Sequence, residues 1–280
     1  MTNNYFPNRP PSVMQNLRRI RFLSEKLAPH ERLELFSELS LAAENLVSTR
    51  MEEKDGFTVA YQAEQRIAFP IPLPTIKLEH IVCGYTEWLK NKYSLPGFVE
   101  VEEGDCVIDC GAFVGGFTLS AARIAKAIHS FEPDSLNFEC LKQNASQFQN
   151  VTPVQKALHA TSGKSILNIS ASAVEHSLLP PDDGTVVRKE EIETVSLADY
   201  FKQLGIESVH FLKLEAEGVE PEIFEGLGTH RPLKLAIDVS PEREGTSPDA
   251  YFVEVLAQKG YETRRRGNVL FARLDSKATT

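Results

Sequence analysis

The stretch Val107-Ile108-Asp109-Cys110-Gly111-Ala112-Phe113-Val114-Gly115-Gly116-Phe117-Thr118 decides the fold. Its apolar run reads as a buried strand, its glycines as a tight turn, and Gly115 onward as the start of a helix. Asp109 stands at the strand's end, and Gly111 and Gly115 let the backbone come close to something bound there. About 20 residues further on, Ser130-Phe131-Glu132-Pro133-Asp134 ends a second strand on an acid, where a nucleotide ribose is held in folds of this kind. Together the two stretches imply a nucleoside pocket.

Outward from this pair the pattern repeats. Strands are expected at Cys106–Asp109, His129–Phe131, Val151–Leu158, Val209–Leu214 and Leu233–Val239. Helices fall between them at 115–127, 134–147, 197–204 and 221–226, with another at 250–259. Asp134 or Ser135 is the N-cap of the second. Ser165–Ile169 reads as an added strand and 170–190 as a long loop. Tyr261–Arg266 and Val269–Leu274, joined around Gly267-Asn268, read as a closing antiparallel hairpin. Alternating strands and helices predict an α/β domain over 98–280, with a mostly parallel sheet covered on both faces.

Residues 1–97 read as a mainly helical extension with short edge strands that packs on, or partly covers, the main domain. Residues 1–12 are polar and expected to be disordered. Val13, Leu17, Ile20, Leu23 and Leu27 have helix spacing, and Pro29 suits the first turn of a second helix carrying Leu33, Phe36, Leu39 and Leu46. The charged segment Met51–Gly56 is read as its end. Phe57–Pro74 suggests one or two edge strands, and Ile76–Tyr93 a further helix containing the only tryptophan, Trp88.

Composition narrows the function. The chain has 280 residues, 42% hydrophobic and 25% charged, as in ordinary soluble proteins, and a net charge of -9. An acidic balance argues against wrapping a phosphate backbone. No apolar run reaches the length of a membrane span, and no secretory leader is visible, so a cytoplasmic protein is expected. The four cysteines form no C-x-x-C pair and read as buried thiols rather than zinc ligands. No metal site is predicted.

Three cofactors compete for the first turn. The chain has G-x-x-x-G, which lacks the G-x-G-x-x-G of a dinucleotide site and the G-x-x-x-x-G-K-[ST] of a triphosphate site. S-adenosylmethionine needs no phosphate cradle. It wants close backbone, an acid for its ribose, and acidic neighbours for its sulfonium and ammonium groups. Asp109, Gly111, Gly115 and Glu132 supply these features; glycines that merely ease strand–helix packing are the alternative.

At this point the chain resembles the FkbM-type methyltransferases. The resemblance rests on Val-Ile-Asp-Cys-Gly-Ala at 107–112, Phe-Glu-Pro-Asp at 131–134 and Leu-Lys-Leu-Glu-Ala-Glu-Gly-Val-Glu at 212–220, in order across about 98–240. It implies a seven-stranded Rossmann-like fold, S-adenosylmethionine as methyl donor, and O-methylation of a sugar or secondary metabolite. It carries Asp109, Gly111, Gly115 and Glu132 over as cofactor residues, with Asp134 beside them. Two positions depart from the resemblance: Phe113 where the family often has Asn, and Glu215 where it often has Asp.

Ligands of open α/β sheets bind beyond the carboxyl ends of the strands. There the fourth strand ends in Lys213, Leu214, Glu215, Ala216 and Glu217. Lys213 and Glu215 share a face, either as a structural pair or with one carboxylate reaching the substrate. Glu217, just before Gly218, and Glu215 are the candidate bases for a hydroxyl acceptor, and His176 in the loop is a third. Asp238, ending the fifth strand, would contact substrate or cap a turn. Glu220 and Glu222 suit a helix N-terminus. The competing functions are a nucleic-acid or protein methyltransferase and a non-catalytic scaffold. The N-terminal helices are expected to pack on their own domain or to form a homodimer.

Overall fold

The computed structural model describes residues 10–274, apart from residue 64, residues 171–185 and residue 244. Two helices open the described chain, α1 (Pro11–Ser24) and α2 (Pro29–Ala42), each with a proline in its first turn. Three antiparallel strands follow: β1 (Arg50–Lys54), β2 (Phe57–Gln62) and β3 (Gln65–Phe69). Then come α3 (Thr75–Val82) and α4 (Tyr85–Lys92).

The remaining elements are β4 (Cys106–Cys110), α5 (Gly116–Ala121), β5 (Ala127–Phe131), α6 (Ser135–Ala145), β6 (Val151–Val154), β7 (Ala157–Leu158), β8 (Gly163–Ser170), β9 (Val186–Val195) and α7 (Leu197–Leu204). After them come β10 (Phe211–Leu214), α8 (Glu220–Glu225), β11 (Lys234–Asp238), α9 (Asp249–Gln258), β12 (Tyr261–Arg266) and β13 (Val269–Leu274).

Seven strands make the main sheet, in the order β12-β13-β11-β10-β4-β5-β6. Pairing is parallel from β11 to β6, and β13 runs antiparallel between β11 and β12. This is the Rossmann-like α/β architecture expected, with the predicted hairpin as its last two strands. The order reverses between β4 and β10, which puts a topological switch point at the carboxyl ends of these two strands.

Strand alternation splits the core in two. Val107, Phe211, Ala236 and Phe271 point to one face and join a cluster with Leu17, Phe36, Ile81, Tyr85 and Tyr93. Ile108, Leu212, Leu235 and Leu270 point to the other and meet Phe201, Ile223, Phe252 and Leu256. The N-terminal elements thus share the core of one sheet face. Asn144 on α6 adds a polar tie: its Oδ1 accepts from Ala68 N, and its Nδ2 donates to Ala68 O and Val114 O.

Several expected boundaries differ. The first helix begins at Pro11, inside the stretch expected to be disordered, and the second ends at Ala42, short of Leu46. The charged segment from Met51 lies largely in β1, because Met51 faces the core while its neighbours pair with β2. Ile76–Tyr93 divides at Gly84, whose φ of 93° no right-handed helix accommodates. Val151–Leu158 splits between two sheets, β6 joining the main one and β7 a small sheet ordered β7-β9-β8. Residues 186–190 of the expected loop belong to β9, paired with β8; 171–185 lie outside the described residues.

Candidate active site

Parallel register puts Lys213 of β10 beside Asp109 of β4. Both have the parity of Phe211 and Val107, so they face the N-terminal helices. Lys213 Nζ lies 2.9 Å from Asp109 Oδ1 and donates to the carbonyls of Cys110 (3.0 Å) and Gly111 (2.9 Å). The other Asp109 oxygen accepts from Thr118 Oγ1 at 2.6 Å, and Thr118 also meets Ser130 Oγ at 2.7 Å. Asp109 is 0% exposed and Lys213 2%. Two buried charges persist here because each is paired and hydrogen-bonded.

The chain of charges continues outward. Lys213 Nζ is 3.3 Å from Glu215 Oε2. Lys92, at the end of α4, sits 2.6 Å from Glu215 Oε1 and 2.9 Å from Asp238 Oδ2. Both ammonium groups lie over the ring of Tyr93, at 4.8 and 5.1 Å from its centroid. Burial pushes the Glu215 carboxyl up, but Lys92 and Lys213 outweigh it and hold the group well below the usual carboxylate range. Burial likewise opposes the Lys92 charge, and Glu215 and Asp238 restore it and raise its pKa. Asp238 also accepts from Ser240 N at 2.9 Å, so it caps its turn.

Gly111 has φ +67°, and a Cβ there would stand 1.8 Å from the Glu215 carbonyl oxygen. The turn after β4 can therefore lie against the end of β10 only with glycine. A Cβ on Gly115 would meet Leu141 Cδ1 at 2.7 Å, so this glycine serves helix packing. Phe113 (φ 52°) and Glu217 (φ 51°) hold left-handed backbone without being glycine. That conformation costs about 1 kcal/mol or more and clusters at functional sites.

The Phe113 conformation directs its amide to Glu132 Oε2 at 2.9 Å, while Asp134 N donates to Oε1 at 3.0 Å. Burial pushes the Glu132 carboxyl up to about 8, against the pull of those amides. Asp134 is the N-cap of α6, its Oδ1 accepting from Leu136 and Asn137 amides.

A cavity of about 1020 Å³, counting its open mouth, lies over the switch point. Among the predicted residues, Gly111, Glu132, Lys213, Glu215 and Glu217 line it. Asp109, Gly115 and Asp134 stand behind that wall and shape it. His176 lies outside the described residues. Sequence reasoning missed the opposite wall: Lys77 from α3 and Tyr85, Trp88 and Leu89 from α4, with Lys156 and Leu167 near β7 and β8. It also missed Lys92. This opposite wall has no local motif; only the docking of α3 and α4 and the pairing of the small sheet bring these residues in.

Glu220 is buried and accepts from Ala216 N at 2.6 Å; burial raises its pKa to about 7. It therefore fixes the turn after β10 as well as opening α8. Among the described residues, no group of three or more His, Cys, Asp or Glu side chains is arranged to hold a metal ion. No helix among them is long and apolar enough to cross a membrane.

A family model for the methyltransferase FkbM domain matches residues 109–265, more than half of the chain. The chain belongs to the FkbM methyltransferase family. The matched segment holds the Gly111 turn, Glu132 and the Lys213–Glu217 strand end, whereas Lys77, Trp88 and Lys92 precede it. No curated protein matches the chain.

Among solved structures, methyltransferase FkbM from Methylobacillus flagellatus KT is 16% identical, over 71% of this chain and 53% of that one, with a TM-score of 0.44. The chain thus spans about half the length of that protein. Precorrin-6y C5,15-methyltransferase from Geobacter metallireducens GS-15 is 12% identical over 74% of this chain and 92% of that one, at a TM-score of 0.41. M. jannaschii TYW2, in complex with AdoMet, is 12% identical over 79% and 85%, also at 0.41.

Proposed function

We propose that this FkbM-family methyltransferase moves a methyl group from S-adenosylmethionine to a hydroxyl of a small molecule, a sugar or secondary metabolite, in the cytoplasm. The observation that carries the reading is that Glu132, Gly111, Glu215 and Glu217 border one cavity at the switch point. Ligands of open α/β folds collect at that place.

The residues fit the donor. The Glu132 carboxyl takes the Phe113 and Asp134 amides and the Asn137 side chain, and its edge on the cavity is where ribose hydroxyls would add to them. Gly111 presents backbone rather than side chain to the cavity. Glu215 stays ionised beside its lysines, a fixed negative charge toward which a cationic donor orients. When bound, S-adenosylmethionine supplies an electrophilic methyl group.

Asp109 and Lys213 act as the floor: they lock β4 against β10 and so set the distance between the Gly111 turn and Glu215. Glu217 is the base in this reading. It lies past the strand end on the cavity wall, and its carboxylate would take the acceptor's hydroxyl proton while the acceptor oxygen is held in line. Glu215, held well below the usual carboxylate range by Lys92 and Lys213, is a weak proton acceptor. Helices α3 and α4 serve as a cover, since they supply the aromatic wall opposite the strand ends. An acidic surface and a walled cavity favour a small acceptor over a polynucleotide.

Incubation with methyl-labelled S-adenosylmethionine and a metabolite extract tests the acceptor class. Label in the small-molecule fraction supports it; label only in RNA or protein contradicts it.

A further inference from the structure

Phe113 gives the turn after β4 an aromatic ring rather than a polar side chain on the cavity wall. Its left-handed backbone sends the amide to Glu132 and leaves the ring on the cavity wall. The Lys77 ammonium, delivered by α3, stands over that ring at 5.0 Å from its centroid and lines the same cavity. A cation over an aromatic face is held there by the ring's negative quadrupole. Lys77 lies outside the segment matched by the family, so the contact belongs to the extension of this chain.

The amino-acid end of the donor carries a carboxylate, an ammonium and, beyond them, the sulfonium. Those charges need separate partners. Glu215 and Glu217 offer negative charge on the β10 side. Among the described lining residues the cations are Lys77, Lys156 and Lys213. Lys213 is 2% exposed, its donors turned to Asp109 and two carbonyls. Lys156 follows β6, whose Val154 carbonyl accepts from Glu132 N. It therefore sits beyond the ribose acid, on the side away from Glu215. Lys77 is the cation on the Phe113 side.

We infer that Lys77 binds the carboxylate of the donor's methionine moiety, with the Phe113 ring as the platform that keeps its ammonium over the turn. The assignment rests on the donor reading above. It makes Phe113 a functional replacement: the polar contact that the turn lacks comes instead from a helix of the extension.

Two ligands separate the claim from that reading. S-adenosylhomocysteine carries the carboxylate; 5′-methylthioadenosine keeps the nucleoside and thioether and lacks the whole amino-acid end. Lys77→Met, which retains an apolar stem over Phe113, is expected to weaken S-adenosylhomocysteine about tenfold, the scale of one charge-assisted contact, and to leave 5′-methylthioadenosine unchanged. Lys77→Arg is expected to restore most of the loss. Unchanged S-adenosylhomocysteine affinity in Lys77→Met, or an equal loss for both ligands, overturns the assignment. Failure of the unaltered protein to bind either ligand removes the donor reading itself, and the Lys77 role with it.

Discussion

Lys92 Nζ and Glu215 Oε1 lie 2.6 Å apart although 123 positions separate them in the chain. The contact closes an alternating series, Asp109, Lys213, Glu215, Lys92 and Asp238, which runs from β4 across β10 to α4 and back to β11. One ion network therefore sets the geometry of the strand ends and anchors the helix that walls the cavity.

Replacing Lys92 by Met leaves Glu215 and the 3%-exposed Asp238 carboxylate without their shared cation. Loss of one member of a buried pair costs about 3 kcal/mol or more. Denaturant unfolding is expected to show that loss for Lys92→Met. A change within about 0.5 kcal/mol, the size of a surface substitution, would mean the network does not anchor α4.

Gly111→Ala is expected to be worse than its single methyl suggests. The added Cβ meets backbone, the Glu215 carbonyl at 1.8 Å, and the residue keeps φ +67°. Neither obstacle yields by rotating a side chain, so β4 and β10 must separate. A destabilisation of about 3 kcal/mol, combining overpacking with left-handed strain, is predicted from thermal unfolding. An unshifted melting temperature would show that the turn has room.

Much of this was legible in the sequence, and the failures have a common cause. The Gly111 turn, Glu132 and the 212–220 segment each declare themselves locally, because a strand, its turn and the next helix are consecutive. The hairpin at 261–274 is legible for the same reason. Lys92 and Lys77 are different. They sit on short helices with no unusual spacing, and their partners are fixed only by docking across the sheet. Strand β1 was missed because burial of one residue, Met51, outweighs a run of charges. The division of 151–158 depends on which sheet accepts each half, which periodicity does not encode.

Glu132 gives a pH signature. Burial pushes its carboxyl up to about 8, whereas the unfolded chain titrates near 4.5. The folded state thus binds the extra proton between those values. The stability linked to Glu132 is complete below 4.5 and is lost as pH rises toward 8. Wild-type unfolding free energy is expected to fall more steeply than that of Glu132→Gln over this window, by up to about 1.4 kcal/mol per pH unit. Parallel profiles would place the Glu132 carboxyl in its ordinary range.

Glu217→Gln separates the base from the binding groups. Removing a general base typically costs about 100-fold or more in turnover. With an acceptor in hand, kcat should drop by that order while S-adenosylhomocysteine affinity stays within about twofold of wild type. A variant with full turnover would return the role to Glu215 or to the acceptor's own acidity.

The central claim is that the cavity at the β4–β10 switch point holds the methyl donor through Glu132. Calorimetric titration of the purified protein with S-adenosylhomocysteine tests it most directly. The account predicts one saturable site per chain, weakened about tenfold or more in Glu132→Ala, the scale of two hydrogen bonds. No heat and no thermal shift at saturating ligand, or an unaltered affinity in Glu132→Ala, would contradict it.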